Sequence, residues 1–164
     1  IYAPSKVIPL IDTLINAFNL REKKNFFPLE IKECIDIKVE NTEISFFTTD
    51  HTDSSVGIIF KDNKGKIIYT SDTRPIVNTN DQWLDCDILI HEASGLYIDE
   101  ETLIKKGHSS SLDGAKLAAK IKCNLLLLCH LPKGDKTTIL EEAKSVFAHT
   151  IIPLPLSKYS TGEQ

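Results

Sequence analysis

Methionine is absent from all 164 residues, position 1 included, and tryptophan occurs once. A chain that lacks an initiating residue is expected to be a fragment or a processed piece, and its opening Ile1-Tyr2-Ala3-Pro4 reads as the end of a strand. No apolar run approaches the roughly 20 residues that span a bilayer. Nor does a charged segment followed by an apolar one open the chain, so neither a membrane span nor a retained signal peptide is expected. A basic excess is lacking too: 19 Lys and Arg stand against 23 Asp and Glu, a formal net charge of −4. That balance excludes wholesale gripping of a nucleic-acid backbone through counterion release, while leaving room for a local basic groove. The four cysteines, Cys34, Cys86, Cys123 and Cys129, include no CxxC pair. Three of them sit in apolar stretches, and the set reads as buried or semi-buried thiols of a reducing, cytoplasmic compartment.

The remaining composition, 41% hydrophobic and 26% charged, is that of a globular domain, and one domain over 1–164 is the expectation. Residues 5–19 place Val7, Leu10, Ile11, Leu14, Ile15 and Phe18 at helical spacing, with Ser5 as N-cap and Pro9 in the first turn. Short β-rich runs follow at 34–39 and 43–49, and the runs 56–60 and 66–70 flank Asp62-Asn63-Lys64-Gly65 as a hairpin. A loop over 71–82 leads to a strand at 86–90, a helix at 110–121 opened by serine, a buried strand at 124–129, a helix at 137–147 and a last strand at 150–156. Early strands followed by strand–helix alternation predict a mixed α/β fold with helices packed over a sheet.

Histidines gather at the ends of these strands. His51 follows 43–49, His91 follows 86–90, His130 follows 124–129, and His108 lies in the loop before the 110–121 helix. Asp72 comes directly after the 66–70 strand. Open α/β sheets collect their sites at such ends, where side chains point into loop-lined crevices. Imidazole and carboxylate are the ligand types of a zinc- or manganese-type hydrolytic centre. Taken singly, a loop histidine bonded to backbone and an aspartate forming a turn are the ordinary outcomes; the conjunction points to a site. Within Asp50-His51-Thr52-Asp53, alternate residues of an extended segment face opposite sides, so His51 alone is the ligand candidate. Trp83 reads as a packing anchor, Lys105-Lys106 as a solvated pair, and His149 has no evident partner.

The motifs occur in a telling order: His51 before the Val56-Gly57 strand, the Tyr69-to-Thr73 turn, the Cys86-to-Ala93 run, His108-Ser109 before a helix, and Leu127-Leu128-Cys129-His130. This order resembles the metallo-β-lactamase fold, in the branch that contains ribonuclease Z and related phosphodiesterases. The resemblance implies an α/β fold, an αββα sandwich represented mainly by its second half. It matches His51, Asp72 and His130 to the later metal ligands of a dinuclear centre, Asp72 bridging two divalent ions, zinc or manganese. It also implies that Glu92 orients His108, which gives a proton to the leaving oxygen. An imidazole titrates near neutral pH, and a carboxylate partner favours its charged form.

The departures from the family's pattern are specific. No His-x-His-x-Asp-His occurs in this chain, so the isolated chain is expected to be inactive and to need the N-terminal half of the domain as a partner. The aspartate turn reads Ser71-Asp72-Thr73 where Gly-Asp-Thr is usual, and the short 60–66 hairpin stands where ribonuclease Z carries a longer insertion. The other expected partners are a phosphodiester substrate, RNA or a nucleotide, and a second copy in a homodimer. Two rival readings stay open: a catalytically silent interaction module, and a hydrolase of carboxylic, thio- or sulfate esters.

Overall fold

A computed structural model describes residues 1–21, 29–134 and 136–160. The chain divides into two compact units, Ile1–Asp36 and Ile37–Gln164. In the first, β1 (Tyr2–Ala3) pairs in parallel with β2 (Lys32–Glu33), and α1 covers Ile8–Ala17. The expected start at Ser5 is wrong. Residues 4–7 close a turn through Val7 N to Pro4 O (2.8 Å), and the helix begins beyond it, with Pro9 in the first turn, where its missing N–H costs nothing. Of the apolar stripe on α1, Ile15 is buried whereas Leu10, Leu14 and Phe18 are exposed.

The second unit is a seven-stranded sheet in sequential order: β3 (Ile37–Val39), β4 (Thr42–Thr48), β5 (Val56–Lys61), β6 (Lys66–Tyr69), β7 (Ile88–Glu92), β8 (Leu125–Cys129) and β9 (Thr150–Ile151). The strands from β3 to β6 are antiparallel, and those from β6 to β9 parallel. The predicted hairpin is present, its turn held by Asp62 Oδ1, which accepts from Lys64 N (2.7 Å) and Gly65 N (3.1 Å). The 34–39 run shortens to β3 because a tight turn, Ile35 N to Glu33 O (2.9 Å), interrupts it. The 150–156 strand shrinks to two residues, since Pro153 and Pro155 cannot donate to a ladder. The helices α2 (Glu100–Lys106), α3 (Ser111–Lys120) and α4 (Lys136–Lys144) complete the unit. Ser110 caps α3 as predicted, in a reciprocal capping box with Asp113.

One sheet face builds the core. Ile59, Ile68, Leu89 and Leu126 stand side by side across four strands and pack, with Leu128, against Ala115, Ala118, Ile121, Ile139 and Ala143 of the helical layer. Each fully buried Leu or Ile contributes roughly 1.5–3 kcal/mol. Trp83 is the predicted anchor, 5% exposed and tilted on Phe47 with ring centroids 4.5 Å apart. Across the opposite face runs a second apolar row, Ile58, Tyr69, Ile90, Leu127 and Ile151, largely half-buried. The four cysteines are free thiols. Among the described residues no helix is long and apolar enough to cross a membrane.

Candidate active site

Three neighbouring parallel strands end at residues of the site. Asp72 lies just beyond β6, Glu92 closes β7, and His130 follows β8. Adjacent strands are about 4.8 Å apart, so the topology alone brings these side chains together. His130 Nδ1 lies 3.0 Å from Asp72 Oδ1, 3.3 Å from Ser94 Oγ and 4.0 Å from Glu92 Oε2. His108 enters from the α2–α3 link, its Nδ1 3.0 and 3.2 Å from the two Glu92 oxygens. His51 enters from the β4–β5 link, and its Nδ1 donates to Gly107 O (3.0 Å). The three rings form a row, with centroids 4.9 Å apart for His51 and His108 and 5.1 Å for His108 and His130.

Glu92 is fully buried. A buried carboxylate is tolerable only when its oxygens are hydrogen-bonded, and here Thr73 N donates to Oε1 (2.6 Å), Ser94 Oγ donates to Oε2 (2.5 Å), and His108 approaches both. The imidazole nitrogen that faces a carboxylate or a carbonyl carries the hydrogen, so His108 and His51 each present Nε2 away from these anchors. Strand alternation turns His91 to the other face, under α3, where a Cβ on Gly114 would sit 3.2 Å from its Nδ1. Its Nδ1 donates to Glu92 O (2.7 Å), and Nε2 has no partner among the described residues. Burial pushes the His91 imidazole below its ordinary range, which keeps it neutral. His149 meets Asn124 O (3.3 Å) and the Phe147 ring.

Two backbone features bear on the sequence departures. Ser71 has φ +57° and His130 φ +47°, both left-handed. A glycine adopts that conformation without the Cβ clash, which explains the usual Gly before the aspartate; serine accepts the strain here.

Sequence reasoning missed the scaffold around the histidines. Arg74 Nη1 pairs with Asp50 Oδ1 (2.7 Å), its Nε donates to Ile104 O (2.7 Å), and its backbone N donates to Asp50 O (2.8 Å). One side chain thus ties the His51 loop to the Asp72 loop and to α2. Ser94 was legible in principle, standing two residues past Glu92 on the same side of an extended segment. The helix α2 was missed as well, although acids in its first turn, lysines in its last and Gly107 behind them mark it. Gly107 has φ +86°, and a Cβ there would lie 2.7 Å from His51 Nδ1. Gly107→Ala is therefore expected to lower stability by about 1–2 kcal/mol and to displace the His51 ring. Thermal unfolding and the His51 imidazole NMR shifts check both effects.

Asp72, His108 and His130 each offer one donor atom, all within 4.8 Å of one another. That is near the roughly 3–4 Å expected between ligands on bonds of about 2 Å to one ion. Nitrogen and carboxylate oxygen suit zinc or manganese, so the donor set fits a divalent metal. His51 lies outside that set of three, beside it through His108.

The chain is similar to ribonuclease Z of Sulfurisphaera tokodaii, 40% identical over 96 residues, covering 57% of this chain and 32% of that protein. It is also similar to ribonuclease Z of Archaeoglobus fulgidus, 38% identical over 90 residues, 53% and 29% of the two chains. The matches thus span about a third of these relatives' length. Among solved structures, the short form of human tRNase Z superposes with a TM-score of 0.68 at 19% identity, over 80% of this chain and 60% of that one. The metallo-beta-lactamase fold protein YhfI of Bacillus subtilis gives 0.66 at 22%, over 83% and 58%. These likenesses show the metallo-β-lactamase fold. The model of the beta-lactamase superfamily domain matches residues 1–131, and the chain belongs to that family.

Proposed function

We propose that this chain carries part of the site of a metal-dependent phosphodiesterase acting on RNA, with His51, Asp72 and His130 as metal ligands and His108 as proton donor. The pairing of buried Glu92 with half-buried His108 carries the reading. Metal ligands alone would serve ester, thioester and lactam hydrolysis equally well. A carboxylate sealed from solvent and held by Thr73 N and Ser94 Oγ, with an imidazole at 3.0 Å, serves a reaction whose leaving oxygen needs a proton.

Two divalent ions would supply hydroxide near neutral pH and offset charge on the phosphoryl oxygens. Catalytic sites commonly use three protein ligands per ion, and His51, Asp72 and His130 fall short of two such sets, so ligands from outside these residues complete them. Glu92 fixes the His108 ring through Nδ1, and His108 gives its proton from Nε2 to the departing oxygen. The ribonuclease Z relatives favour RNA over a small nucleotide. The His108 donor atom also lies in one set with Asp72 and His130, which favours a second reading, His108 as a ligand.

The complete protein is expected to hydrolyse bis-para-nitrophenyl phosphate and to leave para-nitrophenyl acetate and para-nitrophenyl sulfate untouched. Cleavage of either ester without the diester would replace the phosphodiesterase reading. A complete protein that takes up no zinc or manganese when they are supplied and is inert towards all three would support the interaction module.

A further inference from the structure

Asp72, Glu92 and His130 occupy one end of the parallel strands, and two cysteines face each other at the opposite end. Cys86 stands two residues before β7 and Cys123 two residues before β8. The pairing of Ile88 with Leu125, counted back two residues, sets Cys86 opposite Cys123. Backbone bonds carry the two segments side by side to that point: Asn124 N donates to Cys86 O (2.9 Å) and Leu125 N to Asp87 O (3.0 Å). Neighbouring strands run about 4.8 Å apart, inside the roughly 4.4–6.8 Å between Cα atoms that a disulfide bridges. The side chains follow the backbone. Both cysteines are free thiols in the core cluster, and their sulfurs are hydrogen-bonding partners of each other.

Reactivity separates the two. A cysteine attacks as its thiolate. The hydrogen bond from Cys86 holds the Cys123 thiol below its ordinary range, whereas that bond and burial push Cys86 up. Burial also pushes up Cys34 and Cys129, the latter to about 11. Cys123 is therefore the readiest nucleophile of the four, and it is 7% exposed where Cys86 is 0%. So narrow an opening suits a small oxidant.

We propose that Cys86 and Cys123 are a reversible disulfide site, closed by hydrogen peroxide, that clasps the crossover carrying Glu92 and His108. The Cys123 thiolate attacks the O–O bond; an S–O bond forms, and the hydroxide released recovers the proton that the thiol had lost. The Cys86 sulfur then attacks the sulfenic sulfur, the S–S bond forms as the S–O bond breaks, and the leaving hydroxide takes the Cys86 proton as water. Two thiols lose two electrons, the peroxide is reduced to two waters, and a low-molecular-weight thiol reverses the step by exchange. The bond closes residues 86–123 into one loop, which restrains the unfolded chain. It lies away from the histidines and does not depend on the hydrolase reading.

To test this, the complete protein is treated with hydrogen peroxide, remaining thiols are blocked with N-ethylmaleimide, and its peptides are mapped by mass spectrometry without reduction. A Cys86–Cys123 cross-link reversed by dithiothreitol is expected, and the oxidised protein is expected to unfold about 5–10 °C above the reduced one. Cys86→Ala should leave Cys123 as a sulfenic acid that dimedone captures, and Cys123→Ser should leave Cys86 unoxidised at the same dose. The unsubstituted protein decides the pairing even if either variant fails to fold. Cross-linking of Cys123 to another cysteine, recovery of both thiols unchanged, or Cys123 sulfinic acid beside a free Cys86 overturns the site. A cross-link without a rise in unfolding temperature overturns the clasp. Oxidation of Cys86 in Cys123→Ser overturns the order of attack.

Discussion

His108→Ala in the complete protein is expected to keep fold and metal, and to lose about 10²–10⁴-fold in kcat on a diester whose leaving group is a ribose alkoxide. The loss on a para-nitrophenolate diester is expected to be far smaller, because that group departs without a proton. The geometry gives the reason for the contrast. The Glu92 oxygens hold His108 through Nδ1 at 3.0 and 3.2 Å, which fixes the ring and leaves Nε2 to act on the substrate. Glu92 keeps its bonds from Thr73 N and Ser94 Oγ when the imidazole is gone, so the buried carboxylate is not orphaned and the fold survives. Kinetics on the two diesters, with metal analysis of the purified variant, decide the matter. Equal losses on both substrates accompanied by loss of metal would make His108 a ligand with Asp72 and His130.

The legible part of this site is the part that one strand can specify. An apolar run followed by a polar, chemistry-bearing residue marks a strand end, and Asp72 and His130 stand just beyond such ends. The position of β7 was less legible. The run from Cys86 looked like its beginning, yet the strand starts at Ile88, because Asp87 is spent outside it, its carboxylate accepting from Lys66 N (2.7 Å) and Asn124 Nδ2 (3.1 Å). At its other end the strand runs on through His91 and Glu92, which pair with Leu128 and Cys129 of β8. Alternation then sends these neighbours to opposite faces, one into the core and one into the site. No sequence signal announces Arg74, because its partners Asp50 and Ile104 are 24 and 30 residues away in the chain. The β3–β4–β5–β6 order was half visible, as a hairpin, while the parallel joining of β6 to β7 depends on a crossover that local patterns do not encode.

Asp72→Ala is expected to remove metal and phosphodiesterase activity together, each by more than about 100-fold. Loss of a supporting partner alone typically costs 10–100-fold in metal affinity or activity, and the proposed bridging ligand should cost more. The prediction is clean because the residue contributes little to the fold. The Asp72 side chain is 34% exposed and its partner His130 50% exposed, and ion pairs so open to water contribute about 0–1 kcal/mol. The alanine also leaves the Ser71 backbone, left-handed at φ +57°, with its own side chain. Unfolding temperature should therefore move little while metal content collapses, a separation that general destabilisation cannot produce. Asp72→Asn sharpens the test: it keeps the shape and an acceptor oxygen and removes only the charge, so it should still bind metal weakly and stay below about 1% of the activity. Retention of both metal and activity in Asp72→Ala would refute the bridging role. Loss of activity with metal retained would make Asp72 a partner that orients His130 across the 3.0 Å contact.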